Sequence, residues 1–132
     1  MAQEAILAYR QADPVDFIVA DGIGITKGAL LQLIDPMTAS GASAAAQMLA
    51  GIAARDKVAG DGRTRLAVFQ KGKFLMYASG AIPAGAWVMS DGASNYIRVA
   101  TGADTASGAI LLGRAEETAS TGEQVMIAVS VG

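Results

Sequence analysis

Neither cysteine nor histidine occurs anywhere in the chain. The first absence excludes disulfides, thiolate metal sites and thiol nucleophiles. The second removes the side chain most often used to move protons near neutral pH, so catalysis would rest on carboxylates, lysine or tyrosine. Charge of one sign is also lacking: ten basic and twelve acidic residues leave a net charge of −2 and a pI near 4.9. Proteins that live on nucleic acid draw much of their affinity from neutralised phosphates, and no basic excess is present for that. Aromatic residues make up only 5% of the chain, which is thin for a base-stacking or sugar-binding platform. Long apolar runs are missing too. The composition is 52% hydrophobic, much of it alanine, yet no run approaches the roughly 20 residues of a membrane-spanning helix. The N-terminal "MAQEAILAYRQADPVD" has no basic segment before a long apolar stretch, so neither a secretory signal nor a membrane partner is expected. With 132 residues the chain has the length of one domain. It is expected to be a non-enzyme that needs no metal or cofactor.

What is present reads as short strands. "EAILAYR" (4–10), "VDFIVA" (15–20), "ALLQLID" (29–35), "TRLAVFQ" (64–70), "KFLMYAS" (73–79), "AWVMSD" (86–91), "NYIRVA" (95–100), "AILLGRA" (109–115) and "QVMIAVS" (124–130) are each bounded by Gly, Pro, Asp, Asn or Ser. Asp-Gly pairs at 21–22, 61–62 and 91–92 suit tight turns, and Lys71-Gly72 reads as a two-residue hairpin. In "TRLAVFQ" both alternating sets, Leu66/Val68 and Ala67/Phe69, are apolar, which predicts burial on both faces or at an interface. The alanine-rich "ASGASAAAQMLAGIAARDK" (39–57) allows a short helix over part of 42–50, but an internal echo favours a strand over about 48–54.

That echo pairs "KGALLQL" and "LAGIAARDKVAGDGRTRLAVF" with "AGAWVMS" and "LLGRAEETASTGEQVMIAV". Gly28 matches Gly85, Gly51 matches Gly113, Ala53 matches Ala115 and Gly62 matches Gly122. The expectation is an all-β fold, a small β-barrel or β-tulip-like domain of two echoed strand units with at most short helices. Residues 1–20 form an N-terminal arm or edge strand, and 21–132 form the single barrel-like domain.

The candidate sites are few. "DGIGITKGALL" (21–31) resembles a phosphate-binding loop, but Lys27 precedes Gly28 and a short apolar run ended by Pro36 follows. The echoed "IPAGAWV" lacks the lysine, so the stretch reads as a turn into a strand. Glu116 and Glu117 are adjacent and would point to opposite faces of a strand. Asp13 and Asp16 flank Pro14 in a solvated turn. Trp87, Tyr77, Tyr96 and Phe74 read as core or half-buried strand residues. Between 55 and 73 lie Arg55, Lys57, Arg63, Arg65, Lys71 and Lys73, six of the ten basic residues. This cluster is either a solvated hairpin face or a patch for an acidic protein surface.

Over "GIAARDKVAGDGRTRLAVFQKGKFLMYASGAIPAGAWV" (51–88), with "GAILLGRAEETASTGEQVMIAV" near the end, the chain resembles tailed-phage capsid decoration (cement) proteins. More distantly, it is similar in pattern to the lambda-type head-stabilising protein. The resemblance rests on small residues and turns across most of 21–130. It implies a protein made in the host cytoplasm that sits on the outer surface of the virion capsid. It also implies a homotrimer at three-fold or quasi-three-fold positions, bound to the major capsid protein and reinforcing the shell. On that reading the contact candidates are Ile6, Leu7 and Tyr9 in the N-terminal segment and Arg63, Arg65, Lys71 and Lys73 in the basic region. The alternative is a small β-barrel adaptor or carbohydrate-binding module of a larger assembly.

Overall fold

The computed structural model describes residues 4–10, 14–41, 48–91, 95–100 and 111–131. Among these the secondary structure is strand and turn without helix. The strands are β1 (Ile6–Arg10), β2 (Val15–Ile18), β3 (Leu30–Asp35), β4 (Thr38–Gly41), β5 (Leu49–Ala53), β6 (Arg65–Phe69), β7 (Lys71–Tyr77), β8 (Trp87–Ser90), β9 (Ile97–Val99), β10 (Leu111–Ala115) and β11 (Gln124–Ser130). Five of them close a barrel in the order β2-β4-β3-β5-β6, and the others form a six-stranded sheet in the order β1-β7-β11-β10-β8-β9. The strand expected over 48–54 is β5. The part of the helix alternative at 42–47, Asp13, and Gly92 of the third Asp-Gly pair lie outside the described residues.

The echo is a structural duplication. β2-β6-β5-β3-β4 in the barrel has the same neighbour order as β7-β11-β10-β8-β9 in the sheet. In the barrel, a parallel pair between Ile18 and Thr38 joins β2 to β4. In the sheet a single parallel bridge, Ala78 to Ile97, brings the end of β7 to β9. Backbone bonds repeat as well: Gly28 N donates to Ala53 O at 2.8 Å and Gly85 N to Ala115 O at 2.7 Å. The turn Thr26–Ala29 closes with Ala29 N on Thr26 O, and Pro83–Ala86 closes with Ala86 N on Pro83 O. Gly28 and Gly85 occupy the third position of these turns with φ of 89° and 86°, the type II geometry that an L side chain resists. The Gly-Lys stretch is therefore a turn, with a counterpart that lacks the lysine.

A second turn repeats too. Val58–Asp61 and Ser120–Glu123 each close with the fourth residue's N–H on the first residue's carbonyl, and each fourth carboxylate accepts the first residue's N–H. The match is thus Gly60 with Gly122, which corrects the expected pairing of Gly62 with Gly122. Further on, Ala54 N donates to Ala67 O and Glu116 N to Met126 O. More chain separates Asp61 from Ala67 than Glu123 from Met126. Gly62, Arg63 and Thr64 are therefore an insertion in the first unit, and this shifted the apparent alignment.

Two apolar clusters fill the molecule. Phe17, Val19, Ile25, Leu31, Ala50, Leu66 and Val68 fill the barrel. Leu30, Leu49, Ile52 and Phe69 turn outward and pack with Phe74, Met76, Val88, Leu112 and Ile127 of the sheet. This is why β5 is buried at every position, and why β6 is apolar on both faces. Fully burying a side chain of this size contributes about 1.5–3 kcal/mol, so the barrel–sheet joint is a core and not a loose contact. Asn95, itself buried with φ of 65°, pins the joint. Its Oδ1 accepts Leu30 N at 2.6 Å and its Nδ2 donates to Gly28 O at 3.2 Å.

Two expectations are corrected here. Lys71-Gly72 is not a hairpin turn. β6 belongs to the barrel, whereas Lys71 and Gly72 lie inside β7, paired with Ser130 and Val129 of β11. The seven-residue ladder with β11 outcompetes a local turn. The range 1–20 is not all arm either, because β2 pairs with β6 from Val15 through Ile18 and is a barrel stave.

Candidate functional site

β1 adds to the sheet outside the duplicated units. Ala5 is buried and its N–H donates to Gly28 O at 2.8 Å. From there Ile6 pairs with Leu75, Leu7 with Phe74, Tyr9 with Lys73 and Arg10 with Gly72. The register shifts between Leu7 and Tyr9, leaving Ala8 as a bulge residue. Ile6 stays 50% exposed and Leu7 37% exposed. Together with Ala5, Lys27, Ala54 and Phe69 they line an open groove of about 590 Å³. One side of β1 is taken by β7; the other pairs with no strand among the described residues. Such an edge presents unused N–H and C=O groups to a further strand. The side chain of Tyr9 lies outside the described residues.

The basic cluster does not survive as one patch. Lys71 and Lys73 lie on β7 in the sheet, Arg65 opens β6 in the barrel, and Arg63 is in the loop before it. The fold brings Tyr9 and Lys73 into register and separates both from Arg63 and Arg65. Lys73 Nζ is 3.0 Å from Glu116 Oε1, a partly exposed pair of small net worth. Glu117 goes elsewhere, its Oε1 accepting Met126 N at 2.9 Å. Arg65 and Lys71 are exposed.

Lys57 points inward. Its side chain is fully buried, with Nζ 2.6 Å from Asp21 O and 3.2 Å from Asp61 Oδ1. Asp61 also accepts Arg63 N at 2.9 Å, and Asp21 Oδ1 accepts Gly62 N at 2.7 Å. The Arg63 backbone N–H, followed by Lys57 and Val58 N–H, holds the Asp61 carboxyl below its ordinary value against the opposing effect of desolvation. The inserted turn is thus braced by Lys57 and Asp61 just before it and by Asp21 from a distant part of the chain. In the second unit Ala119 stands where Lys57 does, within the same antiparallel bridge.

A further surface was not singled out by sequence. Trp87 is 45% exposed, and the Arg114 guanidinium lies 5.7 Å from its ring centroid. The two residues are cross-strand partners between β8 and β10, and such stacking contributes about 0.5–1 kcal/mol at exposed sites. The runs "AWVMSD" and "AILLGRA" marked the two strands, but the Trp–Arg pairing depends on a register between strands distant in sequence.

No protein-family model matches the chain, and no curated protein matches it in sequence. Among solved structures it is similar to the N base of head fiber gp8.5 in bacteriophage phi29. The TM-score is 0.58 at 18% identity, and the match covers 88% of this chain and 93% of the other. The likeness is one of fold.

Proposed function

We propose that this chain is a structural protein of a phage virion, a decoration (cement) protein that binds the outside of the head and catalyses no reaction. The observation that supports this reading is the nearly end-to-end likeness of fold to the base of a head fiber. The surfaces fit a binding role: an open β1 edge and a shallow apolar groove beside Ile6 and Leu7. A strand or arm of the major capsid protein that pairs with β1 would be held by main-chain bonds, with Ile6 and Leu7 giving selectivity. Binding only to the mature shell stabilises that shell by mass action, and a trimer at three-fold positions adds avidity.

The test is sedimentation of the purified protein with heads of the phage that encodes it. Co-sedimentation to a fixed stoichiometry, with DNA released at a higher temperature from decorated heads, is the expected result. Absence of binding to heads at any stage of maturation would overturn the reading.

A further inference from the structure

Because the molecule carries two copies of one unit, each copy serves as an internal reference for the other. The loop ends of the two units have matched backbones and contrasting chemistry. Ile25 and Lys57 form the bridge that Ile82 and Ala119 form in the second unit. Counting from those bridges, Ile23 stands where Gly80 does, and Val58 where Ser120 does. Arg65 stands where Gln124 does, counting from the matched Ala67 and Met126. The second unit thus ends in glycine, serine and glutamine, with no insertion. The first ends in two aliphatic residues, two arginines and an inserted turn.

The aliphatic residues face solvent. Val58 is 68% exposed and Ile23 49%. A Cβ at Gly24 would lie in van der Waals contact with Lys57 O and Ala59 N, so glycine at this position leaves the backbone beside Val58 without a covering side chain. Ile18, 40% exposed, is the cross-strand partner of Arg65 and extends the apolar surface along the barrel. The two acids that hold the inserted turn are already engaged: Asp61 by Lys57, Val58 N and Arg63 N, and Asp21 by Gly62 N. Arg63 is left with a 4.0 Å approach to Asp61, and Arg65 with no ion pair among the described residues. What the inserted turn and its flanks offer outward is therefore apolar and cationic, in a molecule whose net charge is −2. The Lys57 brace holds it in one conformation, which lowers the ordering cost of binding.

We propose that the barrel end bearing Ile18, Ile23, Val58, Arg63 and Arg65 is a docking surface for an acidic patch on the outer face of the head shell. This rests on the virion reading above. Carboxylates of the partner face Arg63 and Arg65, while Ile23 and Val58 enter an apolar hollow between them. The protein's net negative charge disfavours the two other polyanionic occupants, nucleic acid and an anionic bilayer, whose attraction is long-range and unselective.

The variants come from the molecule itself. Ile23→Gly with Val58→Ser installs residues that the second unit already carries on this backbone, and Arg63→Gln with Arg65→Gln removes the charge. Binding of full-length protein to purified heads is measured across a salt series, beside wild type. The aliphatic pair is expected to weaken binding at least about tenfold at every salt concentration. The arginine pair is expected to slow association about tenfold at low salt, with the difference shrinking as salt rises. Lys57→Ala, with Ala119 as its precedent, is expected to keep the fold and weaken binding by loosening the brace. Wild-type binding with all variants unchanged would overturn the docking surface and leave the virion reading standing. Failure of wild type to bind heads would overturn both. Binding of wild type to duplex DNA or phosphatidylserine vesicles, lost in the arginine pair, would overturn the assignment of a protein partner.

Discussion

At the scale of single residues, backbone constraints decide more than side-chain chemistry. Gly51 and Gly113 each follow a register shift, at Leu31/Gln32 against β5 and at Leu111/Gly113 against β8. A Cβ on Gly51 would meet Phe69 O, and one on Gly113 would meet Ala128 O. The two carbonyls belong to matched strands, so the same close approach occurs twice. Backbone cannot retreat as a flexible side chain can. Gly113→Ala is therefore expected to destabilise the fold by about 1–3 kcal/mol or more, read as a lowered urea midpoint with an unchanged slope. Asn95 allows a finer dissection. Removing its side chain leaves Leu30 N without that acceptor inside the joint, a loss of about 1–3 kcal/mol. Alanine must also hold the φ of 65°, at roughly 1–2 kcal/mol. Asn95→Gly avoids the second cost, so it is expected to be less destabilised than Asn95→Ala. Equal midpoints would mean that the positive φ is relaxed without penalty.

At the scale of elements, local signals were legible and non-local ones were not. The strands around Phe17, Leu31, Leu66, Phe74 and Ile127 announce themselves by apolar alternation between turn residues, and the paired turns by Gly28 and Gly85. β4, "TASG", has no such signal. It is a strand because β3 pairs with it from Leu31 through Asp35 and β2 joins it at Thr38. Lys71-Gly72 misleads because a hairpin is judged from its neighbours in sequence, whereas β7 takes its partners from residues 6–10 and 124–130. Within the basic cluster, likewise, Lys57 meets Asp21 O and Lys73 meets Glu116 only once the chain is folded. β1 gives a test at this scale. Neither unit contains a counterpart of it, so each ladder is complete without it, although Ala5 and the Phe69 groove lose cover. Deleting residues 1–14 is expected to leave a cooperative, less stable melt by circular dichroism and to reduce head binding sharply. Loss of the cooperative melt would show β1 to be integral to folding, and full head occupancy by the truncated protein would remove β1 from the docking mechanism.

At the scale of the whole molecule, the question is whether two similar units behave as two folding bodies or as one. Duplication by itself suggests two, since each unit has its own ladder of strands and its own paired turns. Packing argues for one. Only the barrel interior is private to the first unit. Leu30, Leu49, Ile52 and Phe69 belong to barrel strands but lie in the cluster shared with the sheet, and the rings of Phe69 and Phe74 meet edge-on at 5.7 Å. Separating the units would expose these side chains at about 1.5–3 kcal/mol each. The sum is comparable to the roughly 5–15 kcal/mol by which a domain of this size exceeds its unfolded state. Neither unit can then outlast the other by a measurable margin. Urea unfolding of the full chain is expected to give one transition, superimposable by Trp87 fluorescence, which reports the sheet, and by far-ultraviolet circular dichroism, which reports both units. Residues 15–70 alone are expected to bind a hydrophobic dye and to lack a cooperative melt. Two resolved transitions, or a stably folded barrel fragment, would show that the shared cluster couples the units less than its burial implies. A single transition would mean that the two units respond as one body, joined through the Phe69–Phe74 ring contact and the hydrogen bonds of Asn95 to Leu30 N and Gly28 O.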